Sequence, residues 1–460
     1  MASKSKRARM TPTYDHIKIF EFLAVTIFLI KTIVSINIVG FEIKLSGEPF
    51  YLNSIWLGAD GENYLTGYIA LTKDGFFSNA SILNYWPAGY PLVIYILSFL
   101  SGAWTLKLLA ILQSFVFSFA VLIFAKQLYK TRIKKYALLV LILILVNPTL
   151  SLSSLTVGYE SLASSGLILS ISIVIKDLVE KNNENFLKFL VLNSLIVSFV
   201  SFIQPRFFVS GISIIMFWLF YKKGIKLGVL FLLPSLAITL ILPGSLILRN
   251  SNAVGLNVIS TNLGATMNIG AGSGATGGYL SKGDYGVPCQ TSGTESEQDN
   301  QKVLCVLNWY VENPIKATKL FYNKSIFFWS PWIGPLENGT MGRNPWLKVN
   351  PIKKFMNTPE RANVIYGDLG RIVSWLWLLS TLGILFYGVK ILWRQNQIEK
   401  LIAIICVSVI GANWIISLLT IGDHRFRIPV MGFSLFLQAI GFKTLLRGGK
   451  PAMVDGSALR

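Results

Sequence analysis

Two kinds of ionisable residue recur beside the apolar runs of this chain. Asp60 and Glu62 lie in GADGENYLTGY, and Glu160 lies in SLTVGYESLA. Arg206 lies in FIQPRFF, Arg249 in LILRNSN, and His424, Arg425 and Arg427 in GDHRFRIP. A carboxylate can take a proton from a hydroxyl, and an arginine fork can hold a phosphate through two parallel N–H bonds. Acids and arginines gathered on one face would suit a phosphate-bearing ligand and a general base. Taken singly, each has a plainer account. Asp60 can be a solvated loop acid or cap a helix, and Glu160 can favour a helix dipole. Arg206 and Arg249 can reach to lipid headgroups, and DHRFR can simply end two spans. The set weighs more than its members, because ionisable groups in or beside a membrane core are costly and usually functional.

The elements that must position them are apolar. The chain has 460 residues, a mean hydropathy of +0.56 and 14% charged residues, against roughly 25% in soluble proteins. Its apolar residues fall in runs near the roughly 20 residues that a bilayer requires. The expected class is an all-α membrane protein: a polytopic bundle of about ten transmembrane helices, extracytoplasmic juxtamembrane helices and a mostly irregular or helical outer region. The spans are expected over 17–39, 104–129, 136–156, 161–175, 187–203, 207–221, 227–248, 372–393, 401–420 and 428–445, with a short helix over 91–100 that lies at the surface or dips in. Within the first span, Glu21 is expected at the interface and Lys31 facing the bundle.

The net charge of +20 gathers beside these runs, in KQLYKTRIKK, KDLVEKNNENFLK, KKGIK and LLRGGK. Such loops face the cytoplasm. Both termini are then inside, and residues 40–103 and 249–370 outside. The chain divides into a transmembrane module over 1–248 that carries the first outer loop, an extracytoplasmic region over 249–370, and a second transmembrane module with a cytoplasmic tail over 371–460. No internal repeat of the kind found in many secondary transporters is visible. Nucleic acid is not an expected partner, because no basic stretch interleaves with aromatics on a soluble module. Gly272, Gly274 and Gly277 match G-x-G-x-x-G without a βαβ context, and are expected to permit close backbone approach. Cys289 and Cys305 can form a disulfide if their segment is outside, although coincidence explains their proximity equally well. With two histidines and no His/Cys cluster, a structural zinc site is not expected.

Four stretches, in order, carry a family resemblance. They are DGENY followed by YWPAGYPL, then GYESLA, then STNLGATMNIGAGSGATGGY after LRN, and DHRFRIPV before the last span. The chain resembles bacterial members of the GT-C superfamily of membrane glycosyltransferases, near the protein mannosyltransferase and aminoarabinose transferase branch, over most of residues 17–445. It departs from the family pattern where Gly61 separates Asp60 from Glu62. The resemblance implies a plasma-membrane enzyme with a polyprenyl-phosphate sugar as donor and a glycan, lipid or protein as acceptor, acting on the extracytoplasmic face among membrane lipids. It implies inverting transfer, with Asp60 as general base and Glu62 and Glu160 as supporting acids. Arg206, Arg249, His424, Arg425 and Arg427 would hold the donor phosphate, and Tyr64, Trp86 and Tyr90 would contact sugar or acceptor. No organic cofactor is implied, and a divalent cation on Asp60 and Glu160 is compatible. The alternative is a transporter or flippase of lipid-linked glycans, which would use the same outer charges. It would also need ionisable groups near the bilayer midplane, where Lys31 has few companions.

Overall fold

The computed structural model describes residues 13–58, 60–180, 183–278, 286–329 and 367–447. Residues 279–285 and 330–366 of the expected outer region, and both chain ends, lie outside the described residues. The chain opens on α1 (Thr13–Asn37) and a hairpin of β1 (Phe41–Leu45) and β2 (Glu48–Leu52). The hairpin was not expected from the sequence. Its turn is Ser46 and Gly47, both at positive φ (52° and 89°), as a two-residue turn matching strand twist requires. A two-residue strand β3 (Trp56–Leu57) then leads into α2 (Gly61–Asp74), α3 (Ile82–Tyr85) and α4 (Gly89–Ser98). The last of these is the short apolar helix expected near 91–100.

The bundle follows: α5 (Thr105–Tyr129), α6 (Ala137–Val146), α7 (Pro148–Leu152), β4 (Thr156–Val157), α8 (Glu160–Glu180), α9 (Phe186–Ile203), α10 (Phe208–Thr239) and α11 (Ile241–Val254). An outer layer of α12 (Leu263–Ile269), α13 (Glu295–Glu312) and α14 (Pro314–Trp329) precedes α15 (Gly367–Trp393), α16 (Gln397–Leu419) and α17 (Met431–Leu446). A 3₁₀ turn over His424–Val430 leads into α17. Helix α5 packs on α1 and α8, α9 lies between α8 and α10, α16 packs on α10, and α15 packs on α17.

Among the described residues, seven helices are long and apolar enough to cross a membrane, or nine if each of two bent pairs is one span. The pairs are bent by 56° between α6 and α7, and by 43° between α10 and α11. The sequence led us to expect two spans where α10 runs. Gly224 breaks that helix with φ 73° and ψ 172°. A Cβ on Gly228 would lie 2.6 Å from the Phe220 ring and 3.3 Å from the Leu219 backbone. Nine residues of straight helix span about 13 Å, so the chain doubles back at the KKGIK stretch.

The outward face of α1 exposes Phe22, Val25, Leu29 and Ile33, an apolar surface of the kind that lipid covers. Its inward face buries Lys31, whose Nζ lies 4.1 Å from the Phe117 ring centroid. Glu21 pairs with Lys126 at 2.6 Å. The outer layer has a small core of its own, built from Met267, Ala271, Val306, Tyr310, Ala317 and Leu320. Cys289 and Cys305 are joined in a disulfide beside it.

Candidate active site

A very short parallel strand pair brings the two acid-bearing segments together. Trp56 pairs with Thr156 and Leu57 with Val157. Asp60 and Glu160 each follow three residues beyond their last paired residue. Gly61 allows the approach: a Cβ there would press on Leu57 at 2.7 Å and on the Val157 carbonyl at 3.1 Å. The turn before α8 is pegged from the other side. Gly158 N–H donates to Tyr90 Oη (2.9 Å), and Tyr90 O–H donates to Gln113 Oε1 (3.0 Å). The Gln113 amide in turn donates to the Ser154 and Thr156 carbonyls.

Arg425 sits between the two acids. Its Nη2 lies 2.7 Å from Asp60 Oδ2, and its Nε lies 3.9 Å from Glu160 Oε1. The Asp60 carboxylate does not cap α2, which removes one plainer account of that residue. Asp423 Oδ1 accepts Arg425 N–H (2.8 Å) and lies 3.4 Å from His424 Nδ1. The side chains are enclosed without being sealed: 18% of Asp60, 10% of Arg425 and 4% of Glu160 remain exposed. As arranged, the cation between Asp60 and Glu160 is Arg425. Among the described residues no three His, Cys, Asp or Glu side chains are grouped to hold a metal ion, so this donor set does not fit the divalent site that the sequence left open.

A ring of aromatic side chains surrounds the cluster. Tyr64 lies 5.0 Å from Tyr90, 6.2 Å from Trp86 and 6.3 Å from Tyr159, ring centre to ring centre. The Tyr64 and Tyr159 hydroxyls and Glu160 Oε2 are buried with no hydrogen-bond partner, a costly state for polar groups. Burial, reinforced by the charge of Asp60, pushes the Tyr64 phenol well above its ordinary pKa. Burial does the same to Tyr159 against the opposing pull of Arg425. Both phenols therefore stay protonated and can donate. Tyr159 is a site residue that the sequence reading passed over, although it adjoins Glu160 in the GYES stretch. Asp423, inside GDHRFR, is another.

The remaining arginines do not all join this group. Arg206, in the 3₁₀ turn Pro205–Phe207, donates to Asn413 Oδ1 (3.0 Å) and to Ser417 Oγ, and lies 3.9 Å from the Phe426 ring centroid. It is one aromatic ring away from Arg425, which approaches the same ring at 5.2 Å. Arg427 donates to the Trp329 carbonyl (3.2 Å) and faces that indole. It also lines an apolar cavity of about 500 Å³ between α6, α15 and α17. Arg249 is a correction to the expectation. It is fully buried in α11 and donates to the carbonyls of Phe76, Ser78 and Leu83 and to the side-chain oxygens of Asn84 and Asn250. A guanidinium whose three nitrogens all donate in this way braces the first loop and has little left for a phosphate. Tyr90 is a second correction: it is fully buried, and its hydroxyl holds Gly158, so it supports the site from beneath and offers no sugar platform. Trp86 is half-buried beside Tyr64, and Glu62 occupies the first turn of α2, where the helix dipole favours a carboxylate.

The glycine-rich stretch meets the turn that carries Arg425. Gly277, at φ 102°, leaves no room for a Cβ against Asn323 and Lys324, and its carbonyl accepts Gly422 N–H (2.9 Å). Gly277 thus provides the close backbone packing expected of it. The chain matches no protein-family model, no curated protein and no solved structure.

Proposed function

We propose that the protein is a glycosyltransferase that moves a sugar from a polyprenyl-phosphate donor to a hydroxyl acceptor on the extracytoplasmic face of a plasma membrane. Counting the 134–155 pair once and the limbs on either side of Gly224 separately gives ten crossings. With the basic short loops inside, the Asp60 end of the bundle is outside.

One observation carries the reading. Asp60, Glu160 and Arg425 are in contact at one end of an apolar bundle, and buried polar atoms without partners surround them. In the reaction the acceptor O–H gives its proton to Asp60. The acceptor oxygen bonds to the anomeric carbon from the face opposite the donor phosphate. The bond from that carbon to the phosphate oxygen breaks, and the lipid phosphate leaves with the electron pair. Such a leaving group needs positive charge more than a proton, which Arg425 and Arg206 supply. Donor phosphate and Asp60 compete for the Arg425 N–H groups, so donor binding would release Asp60 to act as base. The apolar cavity beside Arg427 would accept part of the lipid. Tyr64 and Tyr159, held protonated, would donate to sugar hydroxyls.

The test is sugar transfer in membranes supplied with polyprenyl-phosphate sugars, with Asp60→Asn beside the parent. Turnover should fall about 10² to 10⁴-fold while protein level holds and donor binding does not weaken. Parent-like transfer by Asp60→Asn removes the base assignment. No donor-dependent transfer by the parent, across several sugars, removes the function. A transporter of lipid-linked glycans is the second reading. It draws on buried, unpartnered polar atoms partway along α8 and α9, at Ser170, Asn193 and Ser194. Movement of a labelled lipid-linked glycan across vesicles without any transfer would favour it.

A further inference from the structure

A second cavity, of about 400 Å³, opens between α3, α12 and α13, apart from the Asp60–Arg425 cluster. Its size falls in the roughly 300–1,000 Å³ range of small-molecule sites. Tyr85 and Thr261 line it with Glu295, Gln298, Asp299 and Lys302. The walls are braced. Arg249 fixes the 76–84 segment, and Thr261 N–H donates to the Asn84 carbonyl (2.9 Å). Asp299 is 7% exposed, and its Oδ1 accepts the N–H groups of Gly264 (2.7 Å) and Ala265 (3.4 Å). The N-terminus of α13 is already satisfied by a capping box of Thr294 and Glu297, so the cavity draws its chemistry from side chains.

Those side chains combine one aromatic plate with donors and acceptors in several directions. Two carboxyls face one ammonium, which disfavours an anion. A polyol with an apolar C–H face fits: the ring packs on Tyr85, and the hydroxyls meet the carboxyls, the amide and the ammonium. A row of aromatics leads inward. Tyr85 lies 5.8 Å from Trp86, Trp86 lies 6.2 Å from Tyr64, and Tyr64 follows Asp60 in the first turn of α2. We propose that this cleft binds a saccharide and that the bound chain extends past Tyr85 and Trp86 toward Asp60, with Tyr64 buried behind Trp86. That the saccharide is the acceptor rests on the transferase reading; that the cleft takes a saccharide does not.

The experiment uses full-length protein in nanodiscs with maltotriose, mannotriose and chitotriose as probes, read by saturation-transfer NMR. At least one trisaccharide should bind. Tyr85→Ala and Glu295→Gln should each weaken it about tenfold or more. Both replaced side chains are exposed, and thermal melting checks that the variants remain folded. No binding by any of the three probes, or binding that neither variant weakens, overturns the cleft. In the transfer assay, Tyr85→Ala should raise the acceptor KM and leave kcat and donor affinity as in the parent. Saccharide binding that needs Tyr85, in a parent that transfers nothing, leaves the cleft standing and removes the transferase reading.

Discussion

Asp60 and Arg425 meet at 2.7 Å across 365 residues of chain, and each limits what the other can do. Arg425→Lys keeps the charge but cannot span Asp60 and Glu160 with one planar group. Donor affinity should fall about tenfold or more, read by titration of a polyprenyl phosphate into purified protein; parent-like affinity would place the phosphate elsewhere. Arg249 should behave differently. Arg249→Met strands three carbonyls and two amide oxygens, at about 1–3 kcal/mol for each group left unsatisfied. Its loss should appear as a lower melting temperature and abundance, with donor affinity per folded molecule unchanged. The sequence marked both arginines by their place beside apolar runs, and could not separate them. The partners that decide lie at 60 and 160 for one and at 76–84 for the other, and no local pattern links those segments. Tyr90 was legible as a loop aromatic for the same reason, and its real partner, Gly158, was not.

The long apolar helices were legible because hydropathy alone forces them. Turn chemistry was less visible. Ser46–Gly47 is an ordinary pair of turn residues, and the short strands beside it show no strong alternation of buried and exposed positions. Burial of Lys324 was also hidden, because a lysine in a polar helix reads as solvated. It is fully buried in α14, where Nζ donates to Tyr310 Oη (2.9 Å) and the Leu418 carbonyl (2.8 Å). Burial pushes its pKa from 10.5 down to about 7. Between these values the unfolded chain holds the proton and the native chain releases it. The Lys324 contribution therefore rises with pH from about 7 toward 10.5 and is flat below 7. Melting followed from pH 6.5 to 9 should show this slope in the parent and lose it in Lys324→Met; an unchanged slope assigns it to another group. The disulfide belongs to the same layer. It joins cysteines 16 residues apart, a closure worth about 3 kcal/mol. Non-reducing peptide mapping should find Cys289 and Cys305 linked, and mild reduction should expose α13 to protease before the spans.

Taken as a whole, the molecule is an apolar belt with its polar structure concentrated at one end. The described residues of 38–101 and 255–329 carry that polar structure. Single cysteines at Glu48 and Lys319 should react with an impermeant reagent on intact cells, and one at Lys134 should not; the reverse pattern would invert the proposed orientation. The pairing of β3 with β4 has a consequence for how this protein can change length. The two strands run in the same direction, and each acid lies three residues beyond its last rung. One residue added or removed there shifts reach by roughly 3.3 Å and turns a side chain to the opposite face, which is enough to break a 2.7 Å contact. The Gly158–Tyr159 connector therefore acts as a measured spacer. Insertions should accumulate at the exposed Ser46–Gly47 turn and be lethal to activity one strand later.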